Sequence, residues 1–230
     1  MLHIYSASFS ERIKLAENIY QFEFKLDNPQ TISFEAGQYI LLDVNQGFRQ
    51  YSISSSSLKK NLVQTIVDVS PMGLGSLYLL KLKPKDNVSF RAPMGVFTLK
   101  NNLKTKYFLA TGAGISPIKS MIQFLADTNF QSKFSLLWGL RDQIYLQDYF
   151  HDLASQNNNF DYFYCLSKQT SPDSHCFDGR IQKKLETIKT KLNQAEFYLC
   201  GKSSTILSLK NYLETEIKIK PENIHYEQFN

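Results

Sequence analysis

The chain has 230 residues, of which 43% are hydrophobic and 20% are charged, and its formal net charge is +5. This composition suits one large domain or two small ones and excludes an intrinsically disordered chain. The first residues lack a basic stretch followed by an apolar run, and no later segment reaches the roughly 18 apolar residues of a membrane-spanning helix. We therefore expect a soluble cytoplasmic protein with no membrane partner.

The cysteines and histidines do not suggest a metal site. Cys165, Cys176 and Cys200 are odd in number and widely spaced, which argues against a disulfide framework, a zinc site and an iron–sulfur cluster. The four histidines show no ligand spacing. The lysines of residues 183–191 have no aromatic residues between them, which favours the solvated face of a helix over a nucleic-acid surface.

In the first half, apolar residues recur in short runs separated by turn residues, a pattern typical of an antiparallel β-barrel or sandwich. The predicted strands are residues 20–26, 38–44, 50–54, 62–69, 88–91 and 96–99. Residues 74–82 are different, because Leu74, Leu77, Tyr78 and Leu82 fall at helical spacing. The first half is therefore predicted to be a barrel with one short helix.

After residue 106, strands alternate with helices. The predicted strands are residues 107–110, 134–138, 162–166, 196–199 and 224–227, and the predicted helices are residues 117–126, 144–154, 181–192 and 204–216. This alternation predicts a parallel sheet covered on both faces, with ligands at the carboxyl ends of its strands. We place the two domains at residues 1–102 and 103–230.

Residues 49–55, Arg-Gln-Tyr-Ser-Ile-Ser-Ser, alternate charged, aromatic and hydroxyl groups along a predicted strand. Arginine binds phosphate with two hydrogen bonds, tyrosine offers a flat face to a ring, and serine can hydrogen-bond a ring nitrogen. This combination suits a flavin nucleotide, although the same residues could simply occupy the wet face of a strand. The glycine turn at residues 71–76 opens the short helix and could hold the flavin phosphate beside Arg49, or it could be a plain capped helix.

Residues 111–117, Thr-Gly-Ala-Gly-Ile-Ser-Pro, follow an apolar strand and open a helix. Pro117 suits the first turn of a helix, where its missing N–H is not needed. Gly112 and Gly114 let the backbone approach a ligand, and the free N–H groups of a helix N-terminus attract an anion. A dinucleotide pyrophosphate would fit, and a tight turn with glycines required only for packing is the alternative.

The order of these segments resembles the ferredoxin–NADP reductase family, in which a flavin-binding antiparallel barrel precedes a nicotinamide-dinucleotide domain. The resemblance covers nearly the whole chain. The matching residues are Arg49, Tyr51, Ser52 and Ser55; Gly73 and Ser76; Pro93, Gly95 and Phe97; Thr111, Gly112, Gly114, Ile115 and Pro117; Gly139 and Arg141; Tyr198, Cys200 and Gly201; and Glu227, Gln228 and Phe229.

The resemblance implies a bound flavin, FAD or alternatively FMN, and a nicotinamide dinucleotide. The implied flavin-binding residues are Arg49, Gln50, Tyr51, Ser52, Gly73, Ser76 and Phe229. The implied dinucleotide-binding residues are Thr111, Gly112, Gly114, Ile115, Pro117, Cys200 and Gly201. By the same resemblance Ser52 lies near flavin N5, and Cys200 and Glu227 line the place where nicotinamide meets flavin, so these three are the candidate catalytic residues.

The chain departs from the family's pattern in two places, and a further feature concerns the choice between NADPH and NADH. Lys202 follows Cys-Gly where proline is frequent, and the chain ends in Phe229-Asn230 where plant-type members end in tyrosine. Ser167 and Lys168 follow the third strand of the second half, with Arg141 possible nearby, and a hydroxyl with cations suits a ribose 2′-phosphate. We therefore expect NADPH in preference to NADH.

The expected function is NAD(P)H-dependent flavoprotein oxidoreductase, passing electrons to a redox carrier such as ferredoxin, flavodoxin or an oxygenase component. One alternative is an NAD(P)H:flavin oxidoreductase that releases reduced free flavin, which shares the hydride step and hence the motifs. Another is a non-catalytic flavin-binding redox module. No nucleic-acid partner is expected.

Overall fold

The computed structural model describes residues 2–168, 171–192 and 194–229. These residues form two compact units. The barrel unit comprises the described residues up to Lys100 together with Ser116–Asp127, and the nucleotide unit comprises Asn101–Ile115 and the described residues from Thr128 onward. The domain boundary between residues 102 and 103 stays a prediction, because the contacts group Ser116–Asp127 with the N-terminal strands.

Up to Lys100, the barrel unit contains six antiparallel strands and a short helix. They are β1 (His3–Lys14), β2 (Ile19–Asn28), β3 (Tyr39–Asp43), β4 (Phe48–Ser52), β5 (Leu62–Asp68), α1 (Leu74–Lys81) and β6 (Asn87–Met94). The strands lie in the order β4-β3-β6-β1-β2-β5. Alternate side chains such as Phe22, Phe24, Ile40, Leu42 and Phe90 are fully buried, so one face of the sheet forms the core.

The two edge strands of this sheet approach each other. Ile53, directly after β4, forms an isolated bridge with Thr65 of β5, and the amide of Ser54 donates to the carbonyl of Gln64 over 2.7 Å. The sheet therefore curves into the predicted antiparallel barrel, which leaves few unpaired strand edges.

Two predictions for the barrel unit were wrong. The prediction missed β1, although Tyr5, Ala7 and Phe9 alternate with polar residues and are buried between β2 and β6. Residues 96–99 do not form a strand. Val96 is 97% exposed, and its carbonyl accepts a local hydrogen bond from the amide of Thr98, so this segment is a turn after Gly95.

The nucleotide unit alternates strands and helices along the chain. Its strands are β7 (Lys106–Thr111), β8 (Phe134–Leu140), β9 (Phe160–Leu166), β10 (Cys176–Asp178), β11 (Glu196–Lys202) and β12 (Ile224–Phe229), and the helices of this half are α2 (Ile115–Asp127), α3 (Gln147–Gln156), α4 (Ile181–Thr187) and α5 (Ser203–Thr215). The strands are all parallel, in the order β10-β9-β8-β7-β11-β12. The predicted antiparallel barrel followed by a parallel α/β unit is thus confirmed.

Successive residues of the central strands serve opposite faces of the parallel sheet. Leu137 and Cys165 pack with α4 and α5 in a hydrophobic cluster. Trp138 and Phe160 lie on the other face, where both contact Phe150 of α3. A sheet buried on both faces explains why its strands read as nearly continuous apolar runs.

Three details of this half were not predicted. The short strand β10 was missed, since three residues give too little pattern. Helix α3 begins at Gln147 and not at residue 144, because Leu146 adopts a left-handed conformation with φ of 60°. Helix α4 ends at Thr187, and a separate 3₁₀ turn follows at Lys189–Lys191.

A buried ion pair joins the first residues of β7 and β11. The ammonium of Lys106 lies 3.0 Å from a carboxylate oxygen of Glu196, and Lys106 is 1% exposed. Glu196 also accepts hydrogen bonds from Asn102 and Tyr198, each over 2.9 Å. Burial would raise the pKa of Glu196, but these hydrogen bonds and the Lys106 charge outweigh it and lower the pKa.

Substitution of Lys106 by methionine should lower the free energy of unfolding by about 3–5 kcal/mol, because the Glu196 carboxylate would be buried without its cation. Urea denaturation at neutral pH measures the difference. The double variant Lys106→Met/Glu196→Leu should recover part of the loss, since no unpaired carboxylate remains. The stabilisation is present above the unfolded-state pKa of Glu196 and is lost as pH falls through the lowered folded-state pKa. Equal stability of Lys106→Met and wild type would contradict the prediction.

Candidate functional site

The carboxyl edge of the parallel sheet gathers most of the predicted dinucleotide-binding residues. Strand order runs from β7 to β8 in one direction and from β7 to β11 in the other, so the switch of direction lies between β7 and β11. Open α/β sheets bind ligands at this point, outside the carboxyl ends of the strands. Thr111 ends β7, and Cys200 lies opposite both Ala110 of β7 and Glu227 of β12.

Close contacts at this edge leave no room for side chains at two glycines. A Cβ atom on Gly114 would overlap the carbonyl oxygen of Cys200 and lie 2.7 Å from Cα of Gly201. A Cβ atom on Gly201, which has φ of 150°, would overlap the Thr111 side chain. Gly114 and Gly201 are therefore required for packing. Gly112 is different, because its φ is 51° and the space around its Cβ position is open.

Two hydrogen bonds to the Gly112 carbonyl hold the turn at Gly112–Gly114 in place. The Gly112 carbonyl accepts a hydrogen bond from the amide of Ile115 and a second, over 3.1 Å, from the indole N–H of Trp138. Trp138 is fully buried, and the ring of Tyr145 packs edge-on at a centroid distance of 4.5 Å. The Gly112 carbonyl is thus bound twice, which fixes the turn that leads into α2.

Two observations fit an anion at this turn. The first turn of α2 contains no acidic residue, so the positive end of the helix dipole is not neutralised by its own side chains. The hydroxyl of Thr111 is buried and has no hydrogen-bond partner among the described residues. A pyrophosphate group would supply both the negative charge and acceptors for these donors.

A cavity of about 400 Å³ extends from Thr111 along the carboxyl edge. Its polar lining consists mainly of hydroxyl groups and one cation, from Thr111, Ser167, Arg180, Ser204, Thr205 and Ser208. Ser167 was predicted here, but Arg141 and Lys168 do not line the cavity. Their loops are joined by a hydrogen bond from the Lys168 amide to the Arg141 carbonyl over 3.0 Å.

Sequence reasoning missed Arg180, the cation that does line the cavity. It precedes α4 and follows β10, so its position at the carboxyl edge depends on a strand that was itself missed. The dipeptide Gly179-Arg180 before an apolar helical residue was the available signal. An arginine at this place can bind an anion with two hydrogen bonds.

Cys200 and Glu227 lie side by side on adjacent strands. Cys200 is fully buried. Burial, and to a smaller extent the charge of Glu227, raise the pKa of the Cys200 thiol well above its ordinary value. The group is therefore a neutral thiol, able to pack and to make weak hydrogen bonds but not to act as a thiolate nucleophile.

The predicted site at the end of the chain includes Phe229, which is half-buried as the last residue of β12. The side chain of Ser203 donates to that of Gln228 over 2.8 Å, which ties this strand to the start of α5. Asn230 lies outside the described residues. The stacking role of Phe229 stays a prediction.

In the barrel unit, β4 lies close to the start of α1. A Cβ atom on Gly75 would overlap the Tyr51 hydroxyl and lie 3.1 Å from Cγ of Arg49. Helix α1 begins after Gly73 with no side-chain cap and no acidic residue in its first turn. The aliphatic part of the Arg49 side chain therefore passes the start of the helix, while its guanidinium donates a hydrogen bond to the Phe48 carbonyl over 2.8 Å. A phosphate group at the helix start would offset the positive end of the dipole, and the long Arg49 side chain could bind it by changing rotamer.

The other residues predicted for flavin binding lie on β4 and α1. Gln50 is exposed, Tyr51 is half-buried, and Ser52 and Ser76 are buried. Burial, partly offset by the Arg49 charge, raises the pKa of Tyr51 to about 12. Tyr51 is thus a neutral ring, suited to packing against another ring.

The described residues contain no group of three or more acidic, cysteine or histidine side chains placed to hold a metal ion. Within the same part of the chain, no helix is long and apolar enough to cross a bilayer.

Two family models match the chain. Residues 6–99 match the oxidoreductase FAD-binding domain, and residues 108–208 match the oxidoreductase NAD-binding domain. The toluate 1,2-dioxygenase electron transfer component of Pseudomonas putida is 28% identical, over 98% of this chain and 67% of that protein. The chain spans about two thirds or less of the length of curated relatives that it matches.

Solved structures share the fold. An Amycolatopsis cytochrome P450 reductase superposes with a TM-score of 0.89 at 20% identity, over 99% of this chain and 70% of that one. The ferredoxin–NADP⁺ reductase of Plasmodium falciparum superposes with a TM-score of 0.78 at 21% identity, over 97% and 95% of the two chains. Because residues 6–99 match an FAD-binding domain and residues 108–208 match an NAD-binding domain, the chain belongs to the ferredoxin–NADP reductase family of oxidoreductases.

Proposed function

We propose that the chain is an NAD(P)H-dependent flavoprotein oxidoreductase that accepts hydride from a nicotinamide dinucleotide and passes electrons to a redox protein. The observation that supports this most directly is the carboxyl edge of the parallel sheet, where the glycine turn that leads into α2 adjoins a cavity lined mainly by hydroxyl groups. The relative from Pseudomonas putida is an electron transfer component, which favours a protein acceptor such as an oxygenase component or ferredoxin.

Bound flavin would supply a hydride acceptor that can also release single electrons. The residues of the chain then have binding and orienting roles. Arg49 neutralises the flavin phosphates beside the start of α1, and Tyr51 packs its neutral ring against the flavin. Gly73 and Ser76 bring the start of α1 close to the phosphates, and Ser52 offers a hydroxyl near the reacting nitrogen. FAD is the proposed flavin, in line with the domain match.

The nucleotide unit orients the second cofactor. The turn from Thr111 to Ile115 receives the pyrophosphate, and the Trp138 indole holds the Gly112 carbonyl out of its way. Cys200 and Glu227 adjoin the nicotinamide, where the neutral thiol gives a close contact without reacting. Because hydride transfer depends mainly on the distance and alignment of the two reacting atoms, rigid strand ends are suitable supports.

The function is tested by purifying the chain without added flavin, identifying the flavin that remains bound, and titrating it anaerobically with NADPH and NADH. Bound FAD that loses its visible absorbance on addition of NADPH is the expected result. Flavin lost on gel filtration, with free FMN or riboflavin behaving as a saturable substrate, would instead indicate a free-flavin reductase. Flavin that stays bound but is not reduced would contradict the enzymatic proposal.

We further propose that NADPH is preferred, because Arg180 and the hydroxyls of Ser167 and Ser204 can surround a 2′-phosphate in the cavity. Arg180→Gln should raise KM for NADPH about tenfold and change KM for NADH little, since a charge-assisted hydrogen bond contributes about 1.5–3 kcal/mol. Steady-state kinetics with both dinucleotides provides the measurement. Arg141→Gln, outside the cavity, is the matched control. Equal catalytic efficiency of the wild type with NADH and NADPH would disprove the preference.

Substitution Cys200→Ser should slow flavin reduction at least about tenfold and leave flavin bound, because the smaller oxygen alters contact distances at the reacting centre. Stopped-flow absorbance measures the rate. Because the thiol pKa is raised above 9.0, the wild-type rate should show no thiolate ionisation up to that pH. A normal reduction rate in the variant would remove Cys200 from the catalytic residues.

A further inference from the structure

One buried face of α2 is polar. Ser116, Lys119 and Ser120 stand at positions i, i+3 and i+4, so their side chains follow one stripe of the helix. Ser116 is 1% exposed, Lys119 is 7% exposed and Ser120 is fully buried. A helix normally buries an apolar stripe, and buried polar groups are costly unless they are hydrogen-bonded. This face therefore requires specific partners.

The partners are main-chain carbonyl groups of the segment that begins at the end of β4. The Ser116 hydroxyl donates to the Ser52 carbonyl over 2.7 Å, and the Ser120 hydroxyl donates to the Ser55 carbonyl over 2.7 Å. Between them, the Lys119 ammonium lies 3.4 Å from the Ser54 carbonyl. The segment is thus held at three carbonyl groups, all within the barrel unit.

Ser116 also bonds the opposite edge of the barrel. Its oxygen accepts a hydrogen bond from the amide of Ile66 in β5 over 3.2 Å, while its hydrogen is donated to Ser52 at the end of β4. We call residues 52–56 and 64–66 the barrel seam, because the two edge strands part there after the bridge between Ile53 and Thr65. At the seam, a side chain of α2 takes the place of a ladder hydrogen bond.

Lys119 keeps its positive charge at neutral pH. Burial, together with repulsion from Lys59, lowers the pKa of Lys119 to about 8, so the ammonium form still predominates at neutral pH. An ammonium group next to the Ser54 carbonyl makes a stronger hydrogen bond than a neutral donor would.

We propose that Ser116, Lys119 and Ser120 are positioning residues for flavin binding. They fix the seam and thereby the end of β4, the strand that bears Arg49, Tyr51 and Ser52. β4 is an edge strand whose ladder partner is β3, and at its carboxyl end the Ser52 carbonyl accepts a donor from α2. The inference rests on the proposed function, because it assumes that flavin binds along β4.

The test compares the single variants Ser116→Ala and Ser120→Ala with the wild-type chain. In Ser116→Ala the dissociation constant of the flavin should rise about tenfold, because the Ser52 carbonyl and the Ile66 amide both lose a buried partner. Ser120→Ala removes one hydrogen bond and should have a smaller effect. The visible absorption bands of the bound flavin should shift and kcat should fall, whereas KM for NADPH should stay unchanged. Ser155→Ala, which removes a serine-to-carbonyl hydrogen bond in α3, is the matched control.

Amide hydrogen exchange in the flavin-free protein tests whether these hydrogen bonds hold the seam, independently of flavin binding. If the hydrogen bonds hold the seam, residues 52–56 should exchange faster in both variants than in the wild type, and Ser120→Ala provides this measurement if Ser116→Ala does not fold. Variants that bind flavin with wild-type affinity and an unshifted spectrum would overturn the inference and leave the proposed function standing. A wild-type chain that binds no flavin would overturn the proposed function, and the inference with it.

Discussion

The two hydrogen bonds of the Ser116 hydroxyl are the interaction on which the barrel unit depends most closely. An antiparallel sheet that curves on itself has to satisfy the backbone groups where its edge strands part. Here that requirement is met by a helix that comes later in the chain, directly after the Gly112–Gly114 turn. This is why α2 from Ser116 onward groups with the barrel, although its sequence position is that of the first helix of an α/β unit.

A similar constraint shapes the carboxyl edge of the parallel sheet, where backbone meets backbone. Gly114 lies against the Cys200 carbonyl and Gly201 lies against Thr111, so neither position tolerates a Cβ atom. The turn therefore packs directly against the end of β11, and the Thr111 side chain occupies the space beside Gly201. The Trp138 indole N–H donates to the Gly112 carbonyl, and hydroxyl groups supply most of the polar lining of the cavity at this edge.

Both candidate anion sites share an electrostatic feature. The helices α1 and α2 begin without acidic residues in their first turns, so the positive ends of their dipoles are open to a ligand. The Arg49 side chain passes the start of α1, and Arg180 lines the cavity of the other site. The local chemistry of each unit thus suits phosphate groups, in agreement with the family to which the chain belongs.

The order of the elements and the chemical motifs could be read from the sequence, because strand and helix periodicity and residues such as Arg49, Tyr51 and Gly112 are local signals. β1 was missed although its apolar and polar residues alternate, whereas β10 was hidden by its length and Arg180 by its dependence on β10. The pairing of Ser116, Lys119 and Ser120 with carbonyl groups about sixty-five residues earlier leaves no local trace at all. By itself the sequence determined the two kinds of unit and their ligand classes. The tertiary structure decided which helix closes the barrel and which cation lines the cavity, because both depend on contacts between segments far apart in the chain.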